Sequence, residues 1–387
     1  MSYFKFLFFS DIAMLPRKIF AHEEMGVPQS KVTLSTYVLI ALVLLFLLCL
    51  SFYLITKKKI HSLKNAKKKK EEKQQLKKIL RRLKWGSILS LIGIVTIGSF
   101  SIMEEKLTIN DGRTYLEHVH GLGYSTDGKR LIIPSHHGLV TYSDGHWDRA
   151  EGENHDYMGF SVAADGFYSS GHPAPGSDKK NPFGIMKSTD EGKNLKMLDL
   201  YGEIDFHIMG VGYQSQAIYV INPEPNSRMK FVGLYYSLNE TKTWTKSKMR
   251  GISEEPTTIA VHPTNKAILA LGNQSGVYLS YNYGQNFKKV LSKGQITSLV
   301  FSKDGTLFVG GYDHKTYLLK LNVENNRSFE INIPRIAQDD AIAYLAVSSK
   351  NEKQIAFTTF KKDIYISYDQ ASTWLKIAEQ GKGISTK

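Results

Sequence analysis

Histidine and aspartate are the residues whose types and spacing can do chemistry in this chain. Ten of its twelve histidines follow residue 103, and seven of those lie close together: His118, His120, His136, His137, His155, His172 and His207. His118 and His120 are two apart, so on a strand both point to one side. Aligning the following segments on Tyr124, Phe160 and Tyr213 places Asp156, Asp205 and His207 on the matching side. Imidazole nitrogens converging with a carboxylate suit a divalent first-row metal such as Zn, Cu or Fe. His118, His120, His207 and Asp156 are the candidate metal ligands. The same group serves equally as a polar sugar or peptide site, which makes all seven histidines candidate ligand-binding residues. For acid–base hydrolysis the candidate carboxylates are Asp156, Asp205, Glu224 and Asp340. Any one of these histidines, taken alone, reads more simply as a hydrogen-bonded turn residue; only the grouping argues for more. His146, His262 and His314 sit beside turns and are read as incidental.

The elements that must position these groups are short strands. After Met103 the chain alternates apolar and polar residues in brief runs separated by Gly, Asn, Asp and Pro, the pattern of strands and tight turns. One segment recurs: Ser188-Thr189-Asp190-Glu191-Gly192, Ser237 to Trp244, Ser280 to Phe287 and Ser367 to Trp374, with Tyr142 to Trp147 a shortened copy. The serines at 143, 188, 237, 280 and 367 are spaced by 45, 49, 43 and 87 residues. The last interval is close to two steps, so a degenerate copy is expected near Leu321 to Arg327. Six units of this length, each of about four strands, predict an all-β, six-bladed propeller. In such a disc the starts of the first strands and the loops between second and third strands share one face, around the channel mouth. That face carries the seven histidines and is where ligands are expected to bind.

The recurring segment resembles the Asp-box, Ser-x-Asp-x-Gly-x-x-Trp, of BNR, sialidase-like and sortilin-like propellers. The residues that match are Ser188, Asp190 and Gly192; Ser237, Asn239 and Trp244; Ser280, Asn282, Gly284 and Phe287; and Ser367, Asp369 and Trp374. Asn replaces Asp twice, Thr241 and Ala371 replace Gly, and Leu195 replaces Trp. The resemblance implies a structural role: the acidic or amide side chain caps a turn, Gly takes a positive φ and the aromatic packs between blades. Across about residues 115 to 380 the chain is also similar to bacterial anchored or secreted propellers of the F510_1955-type glycosyl hydrolase family. That similarity rests on His118-Val119-His120-Gly121-Leu122-Gly123-Tyr124, Ser135-His136-His137-Gly138-Leu139, Gly159-Phe160-Ser161, Tyr168 to Gly176, Asp205-Phe206-His207 and Asn222-Pro223-Glu224-Pro225-Asn226. It implies a glycoside hydrolase-like activity on extracellular glycans. A classical sialidase is argued against by the scarcity of arginines at strand starts and by the order Pro334-Arg335-Ile336.

Ahead of the repeats, Val32 to Thr56 is uncharged for 25 residues and Gly86 to Met103 for 18. Each is long enough to cross a bilayer core of about 30 Å as a helix. Between them, residues 57–85 carry 14 Lys or Arg against two Glu. That accounts for most of the +14 net charge, leaving the repeats near neutral and arguing against nucleic-acid binding. A short loop this basic stays in the cytoplasm and meets anionic lipid there. The expected order is therefore an extracytoplasmic segment or degenerate signal (1–31), a transmembrane helix (32–56), a cytoplasmic loop (57–85), a second transmembrane helix (86–103) and an extracytoplasmic propeller (104–387). Both helices and the basic loop would contact membrane lipid. The sole cysteine, Cys49, lies in the first helix, so the propeller must hold without disulfides. No phosphate-cradling glycine loop, paired-cysteine motif or nucleophile elbow is present. The reading is a membrane-anchored, cell-surface propeller that binds or senses a glycan, protein or metal through its histidine face, with glycan hydrolysis as the alternative.

Overall fold

A computed structural model describes residues 34–62, 70–110 and 114–384. The chain divides into two compact units, one ending at Asp111 and one beginning at Gly112.

In the first unit, helix α1 spans Leu34–Ser62 and helix α2 spans Lys70–Asn110. They pack side by side, and Gly93 of α2 lets Leu42 of α1 approach closely. Among the described residues one segment, Ile40–His61, is long and apolar enough to cross a membrane, with a mean hydropathy of 2.4 and none of it buried. The second expected span, 86–103, continues α2 beyond the basic Lys70 to Lys84 stretch, and the side chains of 97–103 lie outside the described residues. So does the expected leader, 1–31.

The second unit is a six-bladed propeller. Blade 1 holds strands Gly123–Tyr124, Leu131–Ser135, Gly138–Ser143 and His146–Arg149. Blade 2 holds Asp156–Ala163, Gly166–His172, Ile185–Ser188 and Lys196–Asp199. Blade 3 holds Met209–Val211, Ile218–Asn222, Gly233–Ser237 and Thr245–Lys246. Blade 4 runs from Thr258 to Leu291 and blade 5 from Gln295 to Ile331, each with four strands. Blade 6, Ile342 to Gly383, has five. Every sheet is an antiparallel meander whose first strand faces the channel beside the first strands of its neighbours.

The core is divided among the blade interfaces. Six buried apolar clusters each join two neighbouring blades; Ile132, Leu139, Tyr157 and Phe167 join blades 1 and 2, and Leu116, Ile133, Ile364 and Ile377 join blades 1 and 6. Burying a side chain of this size contributes about 1.5–3 kcal/mol, so this ring needs no disulfide. Closure uses the segment that enters the disc. The Leu116 amide donates to the Gly381 carbonyl and the Gly383 amide to the Thr114 carbonyl, while Trp147 Nε1 reaches the Ile384 carbonyl at 3.2 Å. Leu107 to Asn110 end α2, and Thr114 to Leu116 make the contact with the edge of blade 6.

The four recurring turns share one hydrogen-bond pattern. In blade 2, Ser188 Oγ donates to Asp190 Oδ1 (2.8 Å) and accepts from the Gly192 amide (2.8 Å), while Asp190 Oδ1 accepts from the Asn194 amide (2.9 Å). Ser237 and Asn239, Ser280 and Asn282, and Ser367 and Asp369 repeat it. Asn can stand for Asp because the shared contacts use one side-chain oxygen; the second carboxylate oxygen of Asp190 and Asp369 accepts from Asn194 and Thr373, where the Asn239 amide nitrogen instead donates to Thr243. The fifth position has positive φ in every copy, including Thr241 at 68° and Ala371 at 70°. Trp244 Nε1 crosses to Asp199 of the preceding blade and Trp374 Nε1 to the Asn332 carbonyl. The degenerate copy expected near Leu321 to Arg327 lies in the turn between strands Lys315–Leu321 and Ser328–Ile331.

Candidate functional site

Four chain segments build one polar patch at a single mouth of the channel. His118 and His120 lie on the run into blade 1, where Val119 pairs with Ser135 and the His120 amide donates to the Pro134 carbonyl. This register carries the chain past the turn Ser135-His136-His137-Gly138, which brings His136 beside them. The ring centroids of His118 and His120 are 6.1 Å apart, those of His118 and His136 5.7 Å, and those of His120 and His136 6.3 Å.

Blade 2 supplies the carboxylate. Asp156 opens its first strand and pairs across with His172. Two glycines with positive φ make the crowding there tolerable: a Cβ on Gly171 would lie 2.0 Å from the Asp156 carbonyl, and one on Gly159 would lie 2.3 Å from the Phe206 carbonyl. The second contact draws blade 2 against the segment carrying Asp205 and His207. Met158 to Ser161 absorb the mismatch as a bulge, a common device for aiming side chains.

Two carboxylate-centred groups result. Asp156, with its side chain 8% exposed, meets His120 Nε2 at 3.3 Å through Oδ1 and His136 Nδ1 at 2.9 Å through Oδ2. Asp205, 11% exposed, meets His207 Nε2 at 2.7 Å and His172 Nε2 at 3.4 Å. His172 is also fixed by Asn181 at 2.6 Å through its other nitrogen.

The protonation pattern follows from these contacts. Contact with Asp205 pushes His172 up to about 9, and the same carboxylate raises His207. Burial by itself would raise Asp205, but the two imidazoles hold it well below the usual carboxylate range. His136 is raised by its contact with Asp156. His118 is lowered, chiefly by burial.

The remaining sequence candidates lie apart from these groups. His155 is buried, accepts the Ala174 amide at 2.9 Å and packs its ring edge-on against Phe183. His137 is exposed and meets Glu117 at 3.0 Å. Glu224 is exposed in a blade 3 loop. Asp340 is buried and accepts the Ala341 and Lys361 amides, and burial raises its pKa. His262 accepts backbone amides in a turn, and His314 is 98% exposed.

Of the four expected metal ligands, His120 and Asp156 belong to the group whose donor atoms all lie within 4.8 Å of one another, and its third member is His136. His118 and His207 are outside it. The sequence carried a signal for His136: once His118 and His120 are placed on a strand, the next turn of the same blade must lie beside them.

No protein-family model matches the chain, and no curated protein matches it. Among solved structures, the GH74 xyloglucanase from Xanthomonas campestris is 15% identical over 69% of this chain and 46% of its own length, with a TM-score of 0.44. A GH74 enzyme from Niastella koreensis is 14% identical over 68% and 46%, with a TM-score of 0.48. A gluconolactonase from Xanthomonas campestris is 11% identical over 65% and 85%, with a TM-score of 0.46. This chain spans less than half the length of the two GH74 enzymes. At these scores the likenesses carry no argument about activity.

Proposed function

We propose that this chain is a membrane-anchored propeller that binds or senses a ligand outside the cell through the histidine and aspartate patch at its channel mouth. The carrying observation is the convergence of His118, His120, His136, Asp156, His172, Asp205 and His207 from three blades onto one face. Fixed polar groups gathered at the mouth of a rigid disc suit recognition. Helix α1, the paired α2 and the basic stretch 57–85 support a two-pass anchor with the propeller on the extracytoplasmic side. The hydrogen-bond pattern of the four turns supports reading them as Asp-boxes, which brace the disc.

Binding is favoured over glycan hydrolysis by the state of the carboxylates. An acid–base pair needs one carboxyl kept protonated near neutral pH. Asp205 is held ionised by His172 and His207. Asp340, whose pKa is raised, spends its carboxylate on backbone amides. The test is a panel of glycans, peptides and divalent metal salts offered to the full-length protein in nanodiscs, with a His172→Ala/His207→Ala double variant alongside. At least one class should bind the parent and bind the variant ten-fold or more weaker. A panel that binds neither, or binds both alike, overturns the reading; release of reducing sugar would establish the hydrolase alternative.

A further inference from the structure

Both carboxylate-centred groups hold a largely buried Asp against two imidazoles. Asp205 has a 2.7 Å contact to His207 and raised imidazole pKa values on both sides, the pattern of an imidazolium–carboxylate cluster. Among the described residues, the Asp156 group alone brings the donor atoms of three such residues within 4.8 Å of one another. Its carboxylate is more than nine-tenths buried and meets one imidazole through each oxygen, His120 through Oδ1 and His136 through Oδ2. A buried carboxylate needs partners, and two imidazole nitrogens crowded with it inside 4.8 Å stand as ligands around a common centre do.

The spacings agree with that centre. Metal bonds to imidazole nitrogen and carboxylate oxygen are about 2.0–2.1 Å, which separates neighbouring ligand atoms by ~3.3 Å in a tetrahedron and ~2.9 Å in an octahedron. His120 Nε2 lies 3.3 Å from Asp156 Oδ1, and His136 Nδ1 lies 2.9 Å from Asp156 Oδ2. All three residues offer donors within 4.8 Å of one another. Two imidazoles with one carboxylate select a first-row transition ion over Ca²⁺ or Mg²⁺, which require mainly oxygen. Backbone pairing fixes each ligand from a separate element: the run into blade 1, the turn at Ser135 to Gly138, and the first strand of blade 2.

We propose that His120, His136 and Asp156 are the protein ligands of one divalent first-row transition-metal ion at the channel mouth, with its other coordination positions facing the patch. This rests on the reading of the patch as the binding face, and it names one ligand class for it.

The test uses full-length protein in detergent, purified without a histidine tag and stripped with chelator. Co²⁺ is titrated while visible d–d absorption is followed, and Zn²⁺ binding is measured by calorimetry. One ion per chain is expected, with nitrogen-ligated Co²⁺ bands. Asp156→Asn and His136→Ala should each weaken binding by more than the ~10–100-fold that changes outside the ligand shell cost. His314→Ala, at a fully exposed position, should leave affinity unchanged. The near-isosteric Asp156→Asn and a second variant, His120→Gln, guard against misfolding, with near-ultraviolet circular dichroism as the check. Absence of Co²⁺ and Zn²⁺ binding, or binding that survives Asp156→Asn, His120→Gln and His136→Ala, overturns the metal site. If metal fails while a glycan or peptide still binds and is lost in His172→Ala/His207→Ala, the binding face stands without the metal. If all of these ligands fail, both readings fall.

Discussion

Asp205 shows how a single buried residue sets the state of its neighbours. Because its carboxylate stabilises the charged form of His172 and His207, it holds both rings protonated where free imidazole would be losing its proton. The sign of the linkage follows. His172 is raised from 6.5 to about 9, so its contribution to stability is complete below about 6.5 and lost as pH rises through about 9. Asp205 is depressed, so its contribution is present above the unfolded value of about 4 and lost as pH falls below it. The pair should therefore contribute most between about pH 4 and 6.5. We predict that Asp205→Asn lowers the His172 pKa toward its ordinary value, read by NMR of the imidazole nitrogens. The stability difference between parent and variant should shrink toward pH 10. An unchanged His172 titration would show that Asp205 is not the cause.

At the scale of the element, the recurring turn is a small hydrogen-bonded machine set by two side chains. In blade 4, Ser280 Oγ accepts the Gly284 amide and Asn282 Oδ1 accepts the Asn286 amide. Both acceptors are oxygens, so charge at position 282 is dispensable. Asn282→Asp should change stability by no more than about 0.5 kcal/mol, whereas Asn282→Ala should cost about 1–2 kcal/mol by leaving amides unsatisfied. Equilibrium denaturation of the two variants decides this, and equal losses would mean that the cap does not carry the turn. The pattern tolerates Thr241 and Ala371 at positive φ, a conformation that ordinarily costs an L-residue about 1–2 kcal/mol. The serine acceptor and the flanking strands hold those residues there regardless.

The whole molecule joins an apolar helix to a disc that closes on itself. Closure depends on Thr114 to Leu116 pairing with Gly381 to Gly383 and on Trp147 reaching Ile384, so chain entry and chain end are tied at one blade. The proposed anchor can be tested independently of any ligand. Cys49 is the only cysteine, so a Cys49→Ser background permits single reporters at Lys58→Cys, in the basic end of α1, and Lys230→Cys, in an exposed blade 3 loop. In intact cells a membrane-impermeant maleimide should label the Lys230→Cys variant and should label the Lys58→Cys variant only after permeabilisation. The opposite pattern would invert the proposed orientation, and labelling of both in intact cells would rule out the cytoplasmic loop.

The six blades were legible in the chain alone, because each blade repeats the same local needs: alternating strands, a serine acceptor and a side-chain cap at a period set by four strands. The apolar stretch of α1 and the basic stretch after it were legible for the same reason, since hydropathy and charge are properties of a segment. The gathering of histidines on one face was legible too, through strand direction. Which of them meet was decided by tertiary structure. His136 stands with His120 because Val119 pairs with Ser135, Asp156 reaches both because blade 2 bulges at Gly159, and His207 turns to Asp205 instead of joining them. Contacts between blades depend on register, bulge and disc curvature, which are settled only when distant segments pack, so residue types and spacings name the participants without pairing them.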